Sequence, residues 1–489
     1  MRSTAGPEQA WRKGFDATPE NASLDCGLVD SLPANARRLA SVTTQRLRER
    51  RVASVKAKRS GAWARSAVAM SWGAAVMTGV AGLASTYATA AEPVTPQAAA
   101  LESQPAKSKK PASDIQVIKM VFVFQEIDDP VPLSLLDFTP KDLGLAGAKL
   151  GVNDNNTTGR FLKQSFELTE ISGSDPAKLV AEVKALANSG IGLFVVAVDA
   201  ETLLKMSDAL KDEAAVLFNA RATDLDLREE NCRANVKHTA PSRAMLVDAL
   251  AQYLFWKRWR KIALVQGPAP EDAKFADAIR RSAKKFNLRI VEEGQFEYQA
   301  GSRRTDGGFE QVQKQIPSFT QDYSDYDVLI VADEKSQFGN YFPYRTWIPR
   351  PVAGTHGLFP ASWHPSSELW GASQFQNRFQ RLTNRTMRDL DYQAWMAIRA
   401  IGEAATRTSS ADPKTLIDYM LSDQFELAAF KGQKLTFRPW NAQLRQPIFV
   451  ATDKLHVTVS PQAGFLHQKT VLDTLGLDEP ETKCTAFKK

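Results

Sequence analysis

Short continuous apolar runs alternate along this chain with stretches whose apolar residues fall three and four apart. The first run, Ile115 to Gln125 (IQVIKMVFVFQ), is β-branched and apolar along its length, the pattern of a strand buried on both faces. Asp142 to Asn153 has a helical period and leads into NDNNTTG, Asn153 to Gly159, which reads as turn chemistry. Phe166 to Leu168 reads as a short strand. Asp175-Pro176 opens a helix to about Ala187, because Asp accepts from free N–H groups at a helix start and Pro suits the first helical position. Gly192 to Ala197 (GLFVVA) is the next buried strand, followed by a helix over Ala200 to Leu210 and a strand over Ala215 to Asn219.

A second series follows the same rhythm. Ser242 to Trp256 is helical in period, and Lys257 to Arg260 place three bases at its end, where cations suit the helix dipole. Lys261 to Gln266 (KIALVQ) predicts a strand, Ala273 to Phe286 a helix, Leu288 to Glu293 a strand, Phe309 to Ile316 a helix and Asp327 to Ala332 (DVLIVA) a strand. Arg350 to Gly354 begins a shorter strand and Asp391 to Ala405 is a strong helix. Lys434 to Arg438 and Gln446 to Thr452 predict a returning antiparallel pair.

Strand, helix and strand at this spacing predict parallel sheets covered on both faces. The alternation occurs twice, which predicts an α/β chain of two Rossmann-like lobes joined by a hinge. Residues 114–236 and about 353–390 are assigned to lobe 1, 237–352 and about 391–435 to lobe 2, and 436–489 to returning strands and a C-terminal tail. Two such lobes leave a cleft where strand ends face each other, a usual place for a ligand.

The first 90 residues change the reading of charge and location. Ser66 to Ala91 contain no charged residue, Ala67 to Ser85 are apolar, basic residues precede them and Ala88-Thr89-Ala90 follows. These are the parts of a secretory signal peptide, with the cut predicted after Ala90 and the mature chain in the periplasm; an uncleaved membrane anchor is the alternative. About fifty residues precede the basic region, so translation is expected to begin near Val52 or Val55. Residues 91–113 read as a disordered tether. Of 62 Lys and Arg against 55 Asp and Glu, residues 1–90 hold 13 and 6, leaving 49 of each beyond. The net basicity belongs to the leader and gives no footprint for nucleic acid in the mature region.

Two cysteines, Cys232 and Cys484, remain after cleavage. In an oxidising compartment a disulfide between them would pin the tail to the body, the alternative being two free thiols. No HExxH, GxGxxG or phosphate-loop motif occurs, and no nucleophile and base can be named, so an enzyme is not expected. Asp128, Asp129 and Asp154 lack the spacing of a calcium loop. His238 reads as a structural residue, whereas His356 and His364 flank a loop that can face a ligand.

Several segments resemble the extracellular ligand-binding family typified by leucine/isoleucine/valine-binding proteins. They are Gly144 to Asn153 with Thr158-Gly159-Arg160, Asn235 to Ser242 (NVKHTAPS), and Asp391 to Trp395 (DYQAW). The resemblance covers most of residues 115–455 and implies the type I periplasmic binding protein fold, with an ABC permease in the inner membrane as partner. More narrowly, LREENCRAN (Leu227 to Asn235), WKRWRK (Trp256 to Lys261) and SSELWGASQFQNRFQR (Ser366 to Arg381) resemble the subgroup found beside quinoprotein alcohol-dehydrogenase systems. That subgroup implies a link to alcohol metabolism, a quinoprotein dehydrogenase as a further partner, and pyrroloquinoline quinone (PQQ) as a bound ligand; no other cofactor is required. The alternative is a sensory or accessory module that delivers nothing to a transporter. The loop after Gln125 is acidic and lacks the Ser/Thr-rich character of the family's amino-acid binders. Aromatic and guanidinium groups between Tyr341 and His364 suit a flat carboxylated ring. Arg303, Arg304, Arg345 and Arg350 are the expected anion contacts, Trp347, Trp363 and Tyr392 the packing surface, with His356 beside them.

Overall fold

The computed structural model of the chain describes residues 115–129, 138–297 and 312–488; the leader, its cleavage site and the tether lie outside them. Lobe 1 contains β1 (Gln116–Gln125), α1 (Leu145–Leu162), β2 (Gln164–Gly173), α2 (Pro176–Asn188), β3 (Leu193–Ala197), α3 (Ala200–Ala209), β4 (Val216–Asn219) and β5 (Val236–His238). Its five strands run parallel in the order β2-β1-β3-β4-β5. The continuous apolar runs serve two faces at once. Val121, Val123, Phe194 and Val196 enter one apolar cluster, while Phe122, Val195 and Ala197 enter another on the opposite face. Side chains alternate along a strand, so a run without polar interruptions needs cover on both sides.

Lobe 2 contains α4 (Arg243–Trp256), β6 (Lys261–Gln266), α5 (Pro270–Lys285), β7 (Arg289–Gln295), α6 (Val312–Thr320), β8 (Val328–Ala332) and β9 (Val352–Gly354), with parallel strands ordered β7-β6-β8-β9. The remaining elements are β10 (Phe359–Ala361), α7 (Ala372–Thr383), α8 (Asp389–Thr408), α9 (Pro413–Met420), β11 (Leu427–Ala428), β12 (Lys434–Leu435), β13 (Ile448–Ala451) and β14 (His456–Ser460). Strands β10, β13 and β14 form a small antiparallel sheet between the lobes. Along β13, Phe449 packs into the lobe 1 core and the next residue, Val450, into the lobe 2 core.

Three details depart from the sequence reading. NDNNTTG is not a turn but the last part of α1, because its polar side chains find tertiary partners. Asn155 donates to the Ile398 carbonyl at 2.8 Å, Asn156 donates to the Phe166 carbonyl at 2.9 Å, and Asp154 accepts from the Trp395 indole at 3.0 Å. Helix α8, expected in lobe 2, packs instead on α1 of lobe 1. Glycines let the two backbones approach: a Cβ on Gly147 would lie 1.8 Å from the Asp391 carbonyl oxygen, and one on Gly151 would lie 2.8 Å from Ile398. Finally, the two late extended segments do not form one pair. Strand β12 pairs with β11, and β13 pairs with β10 and β14.

The tail runs across both lobes. Gly476 donates its N–H to Asp248 of α4 at 2.8 Å and accepts from Lys285 of α5 at 2.7 Å. The buried carboxylate of Asp473 accepts from Arg438 and Arg445, at 2.9 and 2.8 Å. On lobe 1, Glu229 accepts from the Lys483 N–H at 2.7 Å, and Cys232 and Cys484 are joined in a disulfide with Cα atoms 5.6 Å apart. Closing so long a loop removes freedom from the unfolded chain. Cys484→Ser is therefore expected to lower unfolding stability by about 2–5 kcal/mol, measured by urea titration; an unchanged midpoint would contradict a stabilising bridge.

Lys431 is buried beneath the small sheet. Its ammonium nitrogen donates to Gln446 Oε1 and to the Pro447 carbonyl, both at 2.8 Å, and lies over the rings of Tyr392 and Phe449. Burial lowers its pKa from the ordinary 10.5 to about 7, with Asp389 opposing the shift. Between those values the unfolded chain holds a proton that the folded chain does not, so this group makes folding more favourable as pH rises from about 7 towards 10. Lys431→Met is expected to flatten that part of the stability profile, read as melting temperature against pH; an identical slope in the variant would contradict the assignment.

Candidate functional site: the interlobe cleft

In a parallel sheet the strands share one C-terminal edge, and the loops and helix starts that follow them gather there. The loops after β1, β3 and β4 of lobe 1 and after β6, β8 and β9 of lobe 2 line a common cavity of about 1100 Å³. Lobe 1 contributes Asp129, Asp199, Arg221 and Asp224 to its wall. Lobe 2 contributes Arg243, Lys274, Glu334, Lys335 and His356. The cavity is charged, with both signs on both walls.

Two helix starts that could attract an anion here, those of α3 and α5, are already occupied by the protein's own carboxylates. Asp199 caps α3 by accepting from the Thr202 N–H at 2.7 Å, and also accepts from Gln125 at 2.7 Å. Burial raises its pKa, but these hydrogen bonds and the Arg221 charge outweigh burial and hold it below the ordinary carboxylate value. At α5, Asp272 accepts from the Ala269 N–H at 3.1 Å and the Glu334 N–H at 2.7 Å. Burial, with Asp333 and Glu334 nearby, lifts Asp272 to about 6 against those hydrogen bonds. After β8, Asp333 accepts from the N–H groups of Gln337, Phe338 and Gly339.

Ion pairs span the cleft. Arg243, the first residue of α4, holds Glu334 through two bonds of 2.7 and 2.6 Å and lies 3.0 Å from Asp224 of lobe 1. Asp224 also accepts from Lys274 at 2.7 Å. Burial opposes ionisation of Asp224, yet Arg243 and Lys274 hold its pKa below the ordinary value, and the two carboxylates raise that of Arg243 despite its burial. Nearer the mouth, Lys335 donates to Asp129 at 2.8 Å. Arg221 donates to the Gln125 carbonyl at 2.9 Å, stands 3.9 Å from Asp129, and keeps a quarter of its side chain exposed to the cavity. The site thus holds an arginine incompletely matched by acid beside a lysine–aspartate bridge.

Of the residues expected at the ligand, His356 lines the cavity, its Nδ1 2.9 Å from Thr355 Oγ1. Trp363 and Tyr392 are stacked at 4.7 Å inside the lobe 1 core, where the Tyr392 hydroxyl donates to the Ala429 carbonyl. Trp347, Arg345 and Arg350 are exposed and are absent from the cavity wall, and Arg350 pairs with Asp325. Arg303 and Arg304 lie outside the described residues. The cleft residues overlooked in the sequence, Arg221, Asp224, Arg243 and Glu334, follow strand ends, and that position was the available signal. Among the described residues no group of His, Cys, Asp and Glu is arranged to hold a metal, and no helix is long and apolar enough to cross a membrane.

Residues 142–311 match the family model described as "Periplasmic binding protein". No curated protein matches in sequence. The leucine-, isoleucine-, valine-, threonine- and alanine-binding protein from Brucella ovis, in a closed conformation, superposes with TM-score 0.59 at 13% identity, covering 76% of this chain and 100% of that one. An ABC transporter substrate-binding protein from Desulfitobacterium hafniense, in complex with Leu, gives 0.56 at 16% identity, covering 70% and 99%. A solute-binding protein from R. palustris in complex with benzoate gives 0.54 at 10% identity, covering 75% and 99%. The fold is the two-lobed α/β architecture of type I periplasmic binding proteins. The matched model and these relatives are binding proteins, not enzymes, by name.

Removing Arg243 would leave Asp224 and Glu334 without the cation they share. Arg243→Met is expected to cost about 3 kcal/mol in unfolding stability, measured by chemical denaturation. A wild-type curve would contradict a structural role for the bridge.

Proposed function

We propose that this protein is the periplasmic solute-binding component of an ABC transporter, holding a small polar solute between its lobes. The observation that carries this reading is the charged cavity at the facing strand ends of two lobes. The expected signal peptide and the names of the structural relatives support the location and the permease partner. The ligand inferred carries both charges. Its anionic group would meet Arg221 and Lys335, and its cationic group would meet Asp129, taking over the bridge those side chains make to each other. Contacts made to both lobes would favour the closed state, whose surface a permease reads.

PQQ and a quinoprotein partner rest on the sequence resemblance alone, although Arg221, Arg388, Lys335 and His356 on the cavity wall would suit the carboxylates of such a ligand. The tryptophans expected to stack on such a ring are in the core or outside the cavity. PQQ is accordingly the second compound to titrate, after zwitterionic solutes.

The test is identification by mass spectrometry of the solute that co-purifies with exported protein, followed by calorimetric titration. Arg221→Ala is expected to weaken binding of that solute roughly 10- to 100-fold, the loss of a hydrogen bond to a charged group. Binding unaffected by Arg221→Ala and Lys335→Ala would contradict the site. Binding that leaves the permease ATPase unstimulated would favour an accessory module over a transport receptor.

A further inference from the structure

Two basic, aromatic stretches prominent in the sequence are not used by the cleft: Trp256 to Arg260, and the run containing Trp347 and Arg350. The fold brings them to one edge of lobe 2. Its four strands are parallel, so their N-terminal ends share the edge opposite the cleft. Trp256 to Arg260 leads into β6 there, and Arg289 opens β7. The Trp347 N–H donates to Thr320 Oγ1 at the end of α6 at 2.9 Å, and Tyr326, just before β8, donates to the Ile348 carbonyl at 3.3 Å.

The edge leaves apolar area and charge uncovered together. Trp256 is 56% exposed and Trp347 63%. Lys257, Arg258, Arg260 and Arg289 are exposed, and none has an acidic partner among the described residues. The acids nearby are engaged: Asp325 binds Lys261 and Arg350, and Asp327 accepts the N–H groups of Arg260 and Lys261. Cations in the last turn of α4 suit its dipole, but that effect fades within a turn and explains neither Arg289 nor the exposed indoles. In a region from residue 91 onward with equal numbers of acidic and basic residues, this edge is a local excess of positive charge.

We propose that this edge is an interaction surface for an anionic phospholipid bilayer. Indole rings settle at the headgroup level, and Lys and Arg are drawn to anionic headgroups, so a wet edge carrying both matches that partner in chemistry and charge. An acidic protein surface is the rival occupant, and polyglutamate stands for it in the test.

The test uses the exported protein, without the leader, and sedimentation with phosphatidylcholine vesicles, with and without phosphatidylglycerol. Each cation near such a surface strengthens binding about fivefold. Lys257→Gln/Arg258→Gln/Arg260→Gln is therefore expected to lose roughly 100-fold in partition onto phosphatidylglycerol vesicles, while binding to phosphatidylcholine vesicles stays equal to wild type. Added salt should weaken the unmodified chain on phosphatidylglycerol in the same direction, an arm that needs no variant to fold. Equal partition of wild type and variant onto phosphatidylglycerol would overturn the proposal. So would wild-type binding to polyglutamate or nucleic acid without any preference for the anionic vesicles.

Discussion

Arg243 sits where the chain first passes from lobe 1 to lobe 2, and its guanidinium is gripped from both sides, by Asp224 of one lobe and Glu334 of the other. Both acids stand at strand ends facing the cleft, so the contact exists only when the two C-terminal edges are turned towards each other. Lys274 shares Asp224, and Lys335 reaches Asp129 across the same gap. The relation between the lobes rests on charge contacts of this kind together with the small sheet whose strand β13 feeds both cores. Such contacts are directional, whereas apolar packing is not, which fits the proposal that the interface is the part of the molecule that opens and closes.

The same geometry decides what the cleft can recognise. Helix starts attract anions, yet those of α3 and α5 at this cavity are satisfied by Asp199 and Asp272. In the proposed site a ligand anion meets side chains instead, chiefly Arg221 and Lys335. Burial of Arg221 lowers its pKa, with the charges of Asp129 and Asp199 opposing the shift.

The fold was legible because the buried strands KIALVQ, GLFVVA and DVLIVA have lengths and compositions that suit a doubly covered sheet, and because Asp175-Pro176 caps a helix by local chemistry. What the sequence hid depended on distant partners. NDNNTTG has turn composition but is helical because its Asn and Asp side chains bond to α8 and β2. Helix α8 belongs to lobe 1 because glycines of α1 admit it, which chain order alone does not reveal. The site was hidden for the same reason. Aromatic density marks residues 341–364, yet Trp363 serves the core and Trp347 the outer edge, while the cavity is built from isolated charged residues in the loops and helix starts that follow strand ends. Strand ends locate a cleft better than composition does in a fold of this class.

Closure of the lobes over a solute is tested most directly by small-angle X-ray scattering of the exported protein, with and without the solute that co-purifies with it. Exchange of the Asp129–Lys335 bridge for ligand contacts should reduce the radius of gyration, or remove a more open population, on saturation. Stoichiometric binding with superimposable scattering curves would contradict a cleft that works by closing.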